Sequence, residues 1–492
     1  MFADPALKAL MPFLVLLMWA AFACFRTPTR LRSLALPFGL HLLAVVVLGM
    51  HVYNNGTILL DNPIAWLPSG LTLKIDGLAI LLSGVTALVI SACAVYSLGY
   101  FQLHRRRHTK RLARERFFWP FLAVLWSALL LVWISADLLT AYLSLEFLGL
   151  SAAAMMVLPD REEAVTAGLR YLFFMLLGSL TYLLGAGICY GLYGQIDFAG
   201  LAQAAAPGKG HFIAMPLMIA GLMLKAAVCS LHGWLPIAHS HAWTPVSAIH
   251  AALVVKGSFF VLVRLWVSLI PDNEAASLLI GLAGAGAIAW GGIMALHRQQ
   301  IKEIVAYSTM AQLGYLLLVF PLTAGAGADA TALAWQGMWL LWVSHALAKA
   351  AMFLSVGNLM LTMGRADLEG LAGAESCLPI SLLVFGIASI TIIGLPVSGG
   401  FTAKWMLLHS AVLSGKWLWV AVLSLGTLLG AAYIFRVFNY ALAAGTDTEC
   451  YVPLPVGKET SALILAMASV ILGLFARWPL MLISAGGGLP WP

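Results

Sequence analysis

The stretch ITIIGLPVSGGFTAKW, residues 390–405, starts and finishes as apolar helix but is interrupted in the middle. Gly394, Pro396, Gly399 and Gly400 break the run, and Lys404 follows them. Proline removes a backbone donor and glycine weakens a helix, so the spacing predicts a broken helix. A second stretch, LMLKAAVCSLHGWLPIAH at 222–239, repeats the design with Lys225, Gly233 and Pro236. Paired interruptions in corresponding segments mark the places where membrane transporters hold ions near the bilayer midplane. The helix breaks at His232, Pro236, Gly394 and Pro396 are therefore candidate gating positions.

The rest of the chain fits a membrane setting. Of 492 residues, 62% are hydrophobic and 10% charged, against about 25% charged in soluble proteins. This excludes a soluble enzyme, a disordered regulator and a nucleic-acid binder. The net charge of +7 is spread over the connections between apolar runs. A helix needs about 20 apolar residues to cross the hydrocarbon core. Fourteen such segments are readable: 6–24, 34–53, 75–101, 117–135, 137–158, 167–193, 211–232, 244–270, 276–296, 304–322, 332–360, 377–411, 417–441 and 460–484. The runs are continuous rather than alternating, which favours helices over a β-barrel. The expected fold class is an all-α polytopic membrane protein. The first apolar stretch continues into a full span, so no cleaved signal peptide is expected.

The two broken segments are the seventh and twelfth spans. Five spans separate them, which predicts two five-helix repeats, spans 4–8 and 9–13. An odd number of spans per repeat makes the repeats inverted. The implied organisation is 1–116, three helices and a basic loop; 117–270, the first repeat; 271–441, the second; and 442–492, a C-terminal helix. Connections after odd-numbered spans hold 17 Lys or Arg, including the run between Arg105 and Arg116 as well as Lys302 and Lys458. The opposite side holds five: Lys8, Lys74, Lys209, Lys416 and Arg477. The positive-inside rule then puts the odd connections in the cytoplasm and both termini outside, as expected for a bacterial inner membrane.

Against so little charge, five residues stand out within spans: Glu146, Lys225, Lys256, Lys349 and Lys404. Each costs about 2.5–3.5 kcal/mol at a helix centre on insertion scales. Snorkelling relieves a lysine near a span end but not one near the middle, as Lys225 and Lys256 are. A structural ion pair accounts for one lysine, not for four facing one carboxylate. Desolvation favours a neutral amine and a nearby carboxylate favours the ammonium, so such a set can pass protons under the control of one ion pair. His250 and His345 fall in the same spans, and His345 shares a helix face with Lys349 four residues on. In HGWLPIAHSHAW, His239 and His241 are two apart with no carboxylate beside them. They read as packing or capping residues rather than a metal site.

The six cysteines are scattered and read as packing residues rather than disulfide partners or metal ligands. No phosphate-binding loop, dinucleotide fingerprint or haem motif is present. No cofactor and no metal are expected, and the energy must come from an ion gradient or a partner subunit.

As a set, Lys225, HGWLPIAH (232–239), TPVSAIHAALVVKG (244–257), HRQQIKEIVAYSTMAQLGY (297–315), SHALAKA (344–350) and GLPVSGGFTAKW (394–405) resemble the antiporter-like subunits shared by respiratory complex I, Mrp-type sodium/proton antiporters and membrane-bound hydrogenases. ADLLTAYLSLEFLGLSA (136–152) resembles the family's glutamate helix. The resemblance covers roughly residues 74–440. It implies 14 helices, a hydrated axis across the midplane, Glu146 and Lys225 as a switching pair, and Lys404 as an outlet towards one face or a neighbouring subunit. Trp243 before TPVS and the histidine-rich loop depart from the common pattern. No long lateral helix is expected after the last span.

The function expected from these observations is proton translocation by a non-enzymatic subunit of a larger membrane complex. The relay would comprise Glu146, Lys225, Lys256, His250, His345, Lys349 and Lys404. The partners expected are other subunits and lipid, with no nucleic acid. Sodium/proton exchange, or proton conduction for a soluble zinc protein in a bicarbonate-uptake complex, are the alternatives.

Overall fold

The computed structural model describes residues 28, 30–61, 71–107, 114–204, 210–270, 273–443 and 454–484, with scattered positions between 12 and 23. The expected first span lies almost wholly outside the described residues. The chain runs through α1 (Arg32–Asn55), a hairpin of β1 (Ile58–Asp61) and β2 (Thr72–Ile75), α2 (Gly77–Arg107), α3 (Glu115–Ile134), α4 (Leu138–Met156) and α5 (Glu162–Tyr193). It continues through α6 (Phe198–Ala204), α7 (His211–Lys225), α8 (Leu235–His241) and α9 (Thr244–Leu269). Then follow α10 (Glu274–His297), α11 (Ile301–Thr323), α12 (Ala328–Met363), α13 (Pro379–Ile393), α14 (Gly399–Leu413), α15 (Trp417–Ala441), α16 (Val456–Leu474) and α17 (Arg477–Ser484).

Among the described residues, eleven helices are long and apolar enough to cross a membrane. Two further expected spans are each split in two: the seventh into α7 and α8, the twelfth into α13 and α14. α9, α11 and α12 are the most deeply buried. α1, α5, α10 and α15 are studded with exposed Leu and Phe, as lipid-facing helices must be.

Four sequence expectations are corrected. His104–Arg107 belong to α2 rather than to a loop, since the helix continues beyond the apolar run. The last span ends at Leu474 and α17 is a separate helix. Lys302 and Lys458, counted as loop charges, are buried. Each sits in the first turns of a helix, from which its side chain folds inward: Lys302 Nζ donates to the Ala242 carbonyl (2.9 Å), and Lys458 Nζ lies 4.7 Å from the Tyr96 ring centre. Finally, Cys377 is disulfide-bonded, while Cys93, Cys189 and Cys229 are free. Nothing in local spacing signals a bond between distant cysteines.

The connections sort into two groups, as the alternation of spans requires. On one side Gln300 bridges to Asp367, Arg436 donates to the Arg298 carbonyl (2.7 Å), and Arg114 pairs with Asp160 (2.6 Å). On the other side the hairpin is stitched to its neighbours: the Ala136 amide donates to Thr72, and Asp137 bridges to Asp197. Asp137 caps α4 through the Thr140 amide (2.6 Å) and also accepts from the Thr72 amide (2.7 Å).

Asp76 closes the same face. Its carboxylate caps α2 through the Ala79 amide (2.9 Å) and accepts from Arg264 (2.9 Å), joining the hairpin to the end of α9. Burial alone would push this carboxyl up, but Arg264, the Ala79 amide and Lys74 outweigh it and hold it below the ordinary carboxylate range. A depressed carboxyl stabilises the fold above its unfolded value near 4 and stops doing so as pH falls through its folded value. Asp76→Asn should therefore lower stability at pH 7, by about 3 kcal/mol for a half-broken buried pair. The gap to the parent should shrink below about pH 4. Thermal unfolding in detergent against pH measures both, and a gap that is constant from pH 7 to pH 3 would contradict the pair's role.

Candidate functional site

Glu146 lies two turns into α4 and meets Lys225, the last residue of α7. Lys225 Nζ donates to Glu146 Oε1 at 2.9 Å, and the same oxygen accepts from the Ser179 hydroxyl of α5. The Lys225 side chain is 3% exposed and that of Glu146 is 19% exposed, so this ion pair is largely out of solvent. Two glycines bring it together. A Cβ on Gly178 would lie 2.8 Å from the Gly221 carbonyl and 2.9 Å from Lys225 Cγ, and one on Gly221 would collide with the Gly178 carbonyl. Only bare backbone lets α5 and α7 approach closely enough for the lysine to reach.

The break after Lys225 is structural. α7 stops there, so the ammonium sits at the negative end of the helix dipole. Trp234 Nε1 donates to the Leu224 carbonyl (3.1 Å), capping one of the bonds that the break frees. Pro236 lies in the first turn of α8. His232, in the gap, accepts from Trp290 Nε1 (3.2 Å).

α9 carries a π-turn over His250–Val254, a feature that loosens the carbonyl ladder. Lys256 Nζ donates to the Ala252 carbonyl in that turn (2.7 Å) and to the Trp342 carbonyl of α12 (3.3 Å). It also faces the Trp342 ring at 4.9 Å. His250 holds the Val246 carbonyl through Nδ1 (2.8 Å), and its Nε2 is unpartnered. His345 is fully buried with both ring nitrogens unpartnered, and it lies within electrostatic reach of Lys256, Lys349 and Lys404.

Lys349 Nζ donates to the Val305 carbonyl (3.0 Å) and to the Ser308 hydroxyl. Tyr433 of α15 has its hydroxyl facing Ser308 and Gln312. Gln312 Nε2 donates to the Ile392 carbonyl (3.1 Å), which also accepts from Lys404 Nζ (2.9 Å). Lys404 further takes the Ile393 carbonyl (3.2 Å) and the face of Tyr315 (4.3 Å). Both carbonyls are freed where α13 ends at Gly394, whose φ is +85°. Pro396 is exposed in the turn that follows.

Of the residues expected from the sequence, Glu146 meets Lys225, His250 lies in the turn before Lys256, His345 is within electrostatic reach of Lys256, Lys349 and Lys404, and Gly394 borders Lys404, while His232 and Pro236 sit at the break after Lys225 and Pro396 in the turn before α14. Among the described residues, Lys225 is the one lysine of the four with a carboxylate within 4 Å. Sequence reasoning missed the groups between the charges: Ser179, Ser308, Gln312, Tyr315 and Tyr433. Three of these lie in the stretch 297–315, where hydroxyls and an amide on a buried helix were the available signal. It also passed over His239, which is 1% exposed, stacks on Phe353 at 4.9 Å, and lies within electrostatic reach of His250, Lys302 and Lys349. His241 is exposed.

The fold and this row define a polytopic membrane protein with ionisable groups strung through its core. The family model described as NADH:quinone oxidoreductase/Mrp antiporter, transmembrane, matches residues 135–430, and the chain belongs to that family. It is 32% identical over 430 residues to NADH-quinone oxidoreductase subunit N of Desulforudis audaxviator, covering 83% of each chain. It is 24% identical over 481 residues to a Na(+)/H(+) antiporter subunit of Alkalihalophilus pseudofirmus, covering 96% of this chain and 94% of the other. Its fold is similar to a chain of the membrane-bound sulfane sulfur reductase, an archaeal respiratory membrane complex, with a TM-score of 0.85 at 21% identity over 99% and 98% of the two chains. The protein is an antiporter-like subunit of the kind found in complex I and Mrp-type complexes.

The ion pair makes a stability prediction independent of transport. Glu146→Ala leaves Lys225 buried without its carboxylate and should destabilise the fold by about 3 kcal/mol. Adding Lys225→Ala should recover part of that loss. Unfolding of single and double variants in detergent decides it; strictly additive losses would mean that the two side chains do not act as a pair.

Proposed function

We propose that this subunit moves protons along Glu146, Lys225, His250, Lys256, His345, Lys349 and Lys404. The observation that carries this is the row itself: four buried lysines with one carboxylate, joined by hydroxyls, an amide and helix-break carbonyls. An arrangement built only for stability would pair its charges or replace them with apolar residues. The Glu146–Lys225 contact acts as the switch. When the carboxylate withdraws, the ammonium loses its counter-charge and its proton passes along the row; when it returns, the proton is held.

Access from the side of the odd-numbered connections runs through Lys302 and His239, which lead from the Ala242 carbonyl to His250 and Lys349. Lys404 hands the proton on, to a face of the membrane or to a neighbouring subunit. His232, Pro236, Gly394 and Pro396 mark the breaks that let the two half-helices shift. The two halves, 117–270 and 271–441, act as inverted repeats, each contributing one broken helix. The subunit carries out no bond-making chemistry, and its driving energy comes from partner subunits or an ion gradient.

With the buried Lys302 and Lys458 set aside, a bias of fifteen against five basic residues supports placing the odd connections in the cytoplasm, with both termini outside a bacterial inner membrane. The disulfide at Cys377 weighs the other way, because such bonds persist in oxidising compartments. A bias of this size spread over many loops outweighs one bond.

Reconstitution of the intact complex in proteoliposomes tests the mechanism. Glu146→Gln and Lys225→Ala should each abolish coupled proton movement while the complex still assembles. His239→Ala should slow it, and the exposed His241→Ala should not. Normal pumping by both Glu146→Gln and Lys225→Ala would sink the proposal. Obligatory sodium counterflow would make the sodium/proton antiporter the correct description.

A further inference from the structure

The hairpin covers a cavity of about 280 Å³ that the relay does not use. Its walls carry Asp61, Lys74, Asp197 and Arg264, together with Ser135 and Ser268. Most of the remaining lining is apolar, and a space of this size has room for several water molecules beside those polar groups. It opens on the face of the even-numbered connections, under a roof fixed by the β1–β2 pairing and by the Ala136–Thr72 hydrogen bond.

The floor of the cavity is aromatic. Phe260 and Trp339 line it, with ring centres 6.2 Å apart. Below them Trp133 meets Phe260 edge-on at 5.3 Å and Trp342 at 5.4 Å. The Trp342 ring is the one that faces Lys256 Nζ. On α9, Lys256, Phe260 and Arg264 recur at every fourth residue and so stand on one face. Arg264 stacks over Phe260 at 5.2 Å while Asp76 holds its far side. From Arg264 to Lys256 the helix rises only about 12 Å.

We propose that this cavity is the aqueous mouth of the proton path on the even-connection face, and that Phe260, Trp339, Trp342 and Trp133 form the gate between it and Lys256. The inference rests on the proton relay and adds its second opening. Apolar rings exclude water and keep the mouth insulated from the row while the gate is shut. Trp133 is the fixed member, since its Nε1 donates to Thr86 Oγ1 (3.0 Å). The Trp342 indole N–H is buried without a partner, and a water entering between the rings would supply one. Arg264 is a positioning residue: pinned by Asp76, it presses on Phe260.

The test uses the intact complex in sealed proteoliposomes of known orientation. Ser268→Cys should react with a membrane-impermeant cationic thiol reagent from the even-connection face and not from the other. Phe260→Ala and Trp339→Ala should raise passive proton leak under an imposed pH difference at least ten-fold. Adding Lys256→Met to either should remove the leak. Where an alanine variant fails to assemble, Trp339→Phe serves for the leak, and Ser268→Cys labelling needs no change to the gate. Absence of labelling, absence of leak in assembled variants, or a leak that survives Lys256→Met would each overturn the proposal. Failure of the relay itself is read separately, as normal coupled pumping by Glu146→Gln and Lys225→Ala.

Discussion

A lysine ammonium held away from water must find oxygen atoms or an aromatic face within a few ångströms, and the carbonyls along the middle of an intact helix are already engaged by the helix's own amides. Most of the unusual backbone in this protein follows from that constraint. Lys404 is served by Ile392 and Ile393, whose carbonyls are free because α13 stops at Gly394. Lys256 is served by Ala252, inside the π-turn of α9. Lys225 ends its own helix and has the Glu146 carboxylate instead. In each case the break in hydrogen bonding and the buried charge are two halves of one arrangement.

The two halves of the chain meet the same requirement differently. In the first, Lys225 has a full counter-charge brought close by the Gly178–Gly221 crossing, while Lys256 has two carbonyls and the Trp342 ring. In the second, Lys349 and Lys404 have carbonyls, the Ser308 hydroxyl and the Tyr315 ring, all neutral. A carboxylate binds an ammonium strongly and can release it only by moving. Neutral oxygens bind it less strongly and need not move for a proton to leave. In the proposed relay the Glu146–Lys225 pair is therefore the switch, and the lysines held by neutral groups are the conduit.

This division also explains what was legible in the sequence. Charge is so scarce in the chain that Glu146 and the four lysines announce themselves, and glycine and proline at 394–400 and 233–236 mark the breaks. The α-helical class follows from the length of the apolar runs. What the sequence hides is everything decided by side-chain direction. Lys302 and Lys458 sit beside apolar runs and read as loop charges, yet both turn inward. Ser308, Gln312 and Tyr433 are ordinary residues until two helices, α11 and α15, bring them between Lys349 and Lys404. The π-turn leaves no compositional mark, because His250–Val254 reads as plain helix. The hairpin was also unread: two strands of four residues give little periodicity to detect.

Like charges within one low-dielectric layer repel each other far more than in water. His345 lies within electrostatic reach of three of the lysines, so a proton arriving at one site makes its neighbours less hospitable to another. A row of this kind does not fill site by site. It favours one site emptying as the next is occupied, which is what directional passage requires. The lone carboxylate then has a position of consequence. In the proposed relay Glu146 stands at one end of the row rather than at its centre, so its movement would bias the lysines in turn from outside the set. The same repulsion explains why the row must be sealed from water at its openings. Solvent entering between the rings of Phe260 and Trp339 would screen the lysines from one another and dissolve the coupling that makes them act as one device.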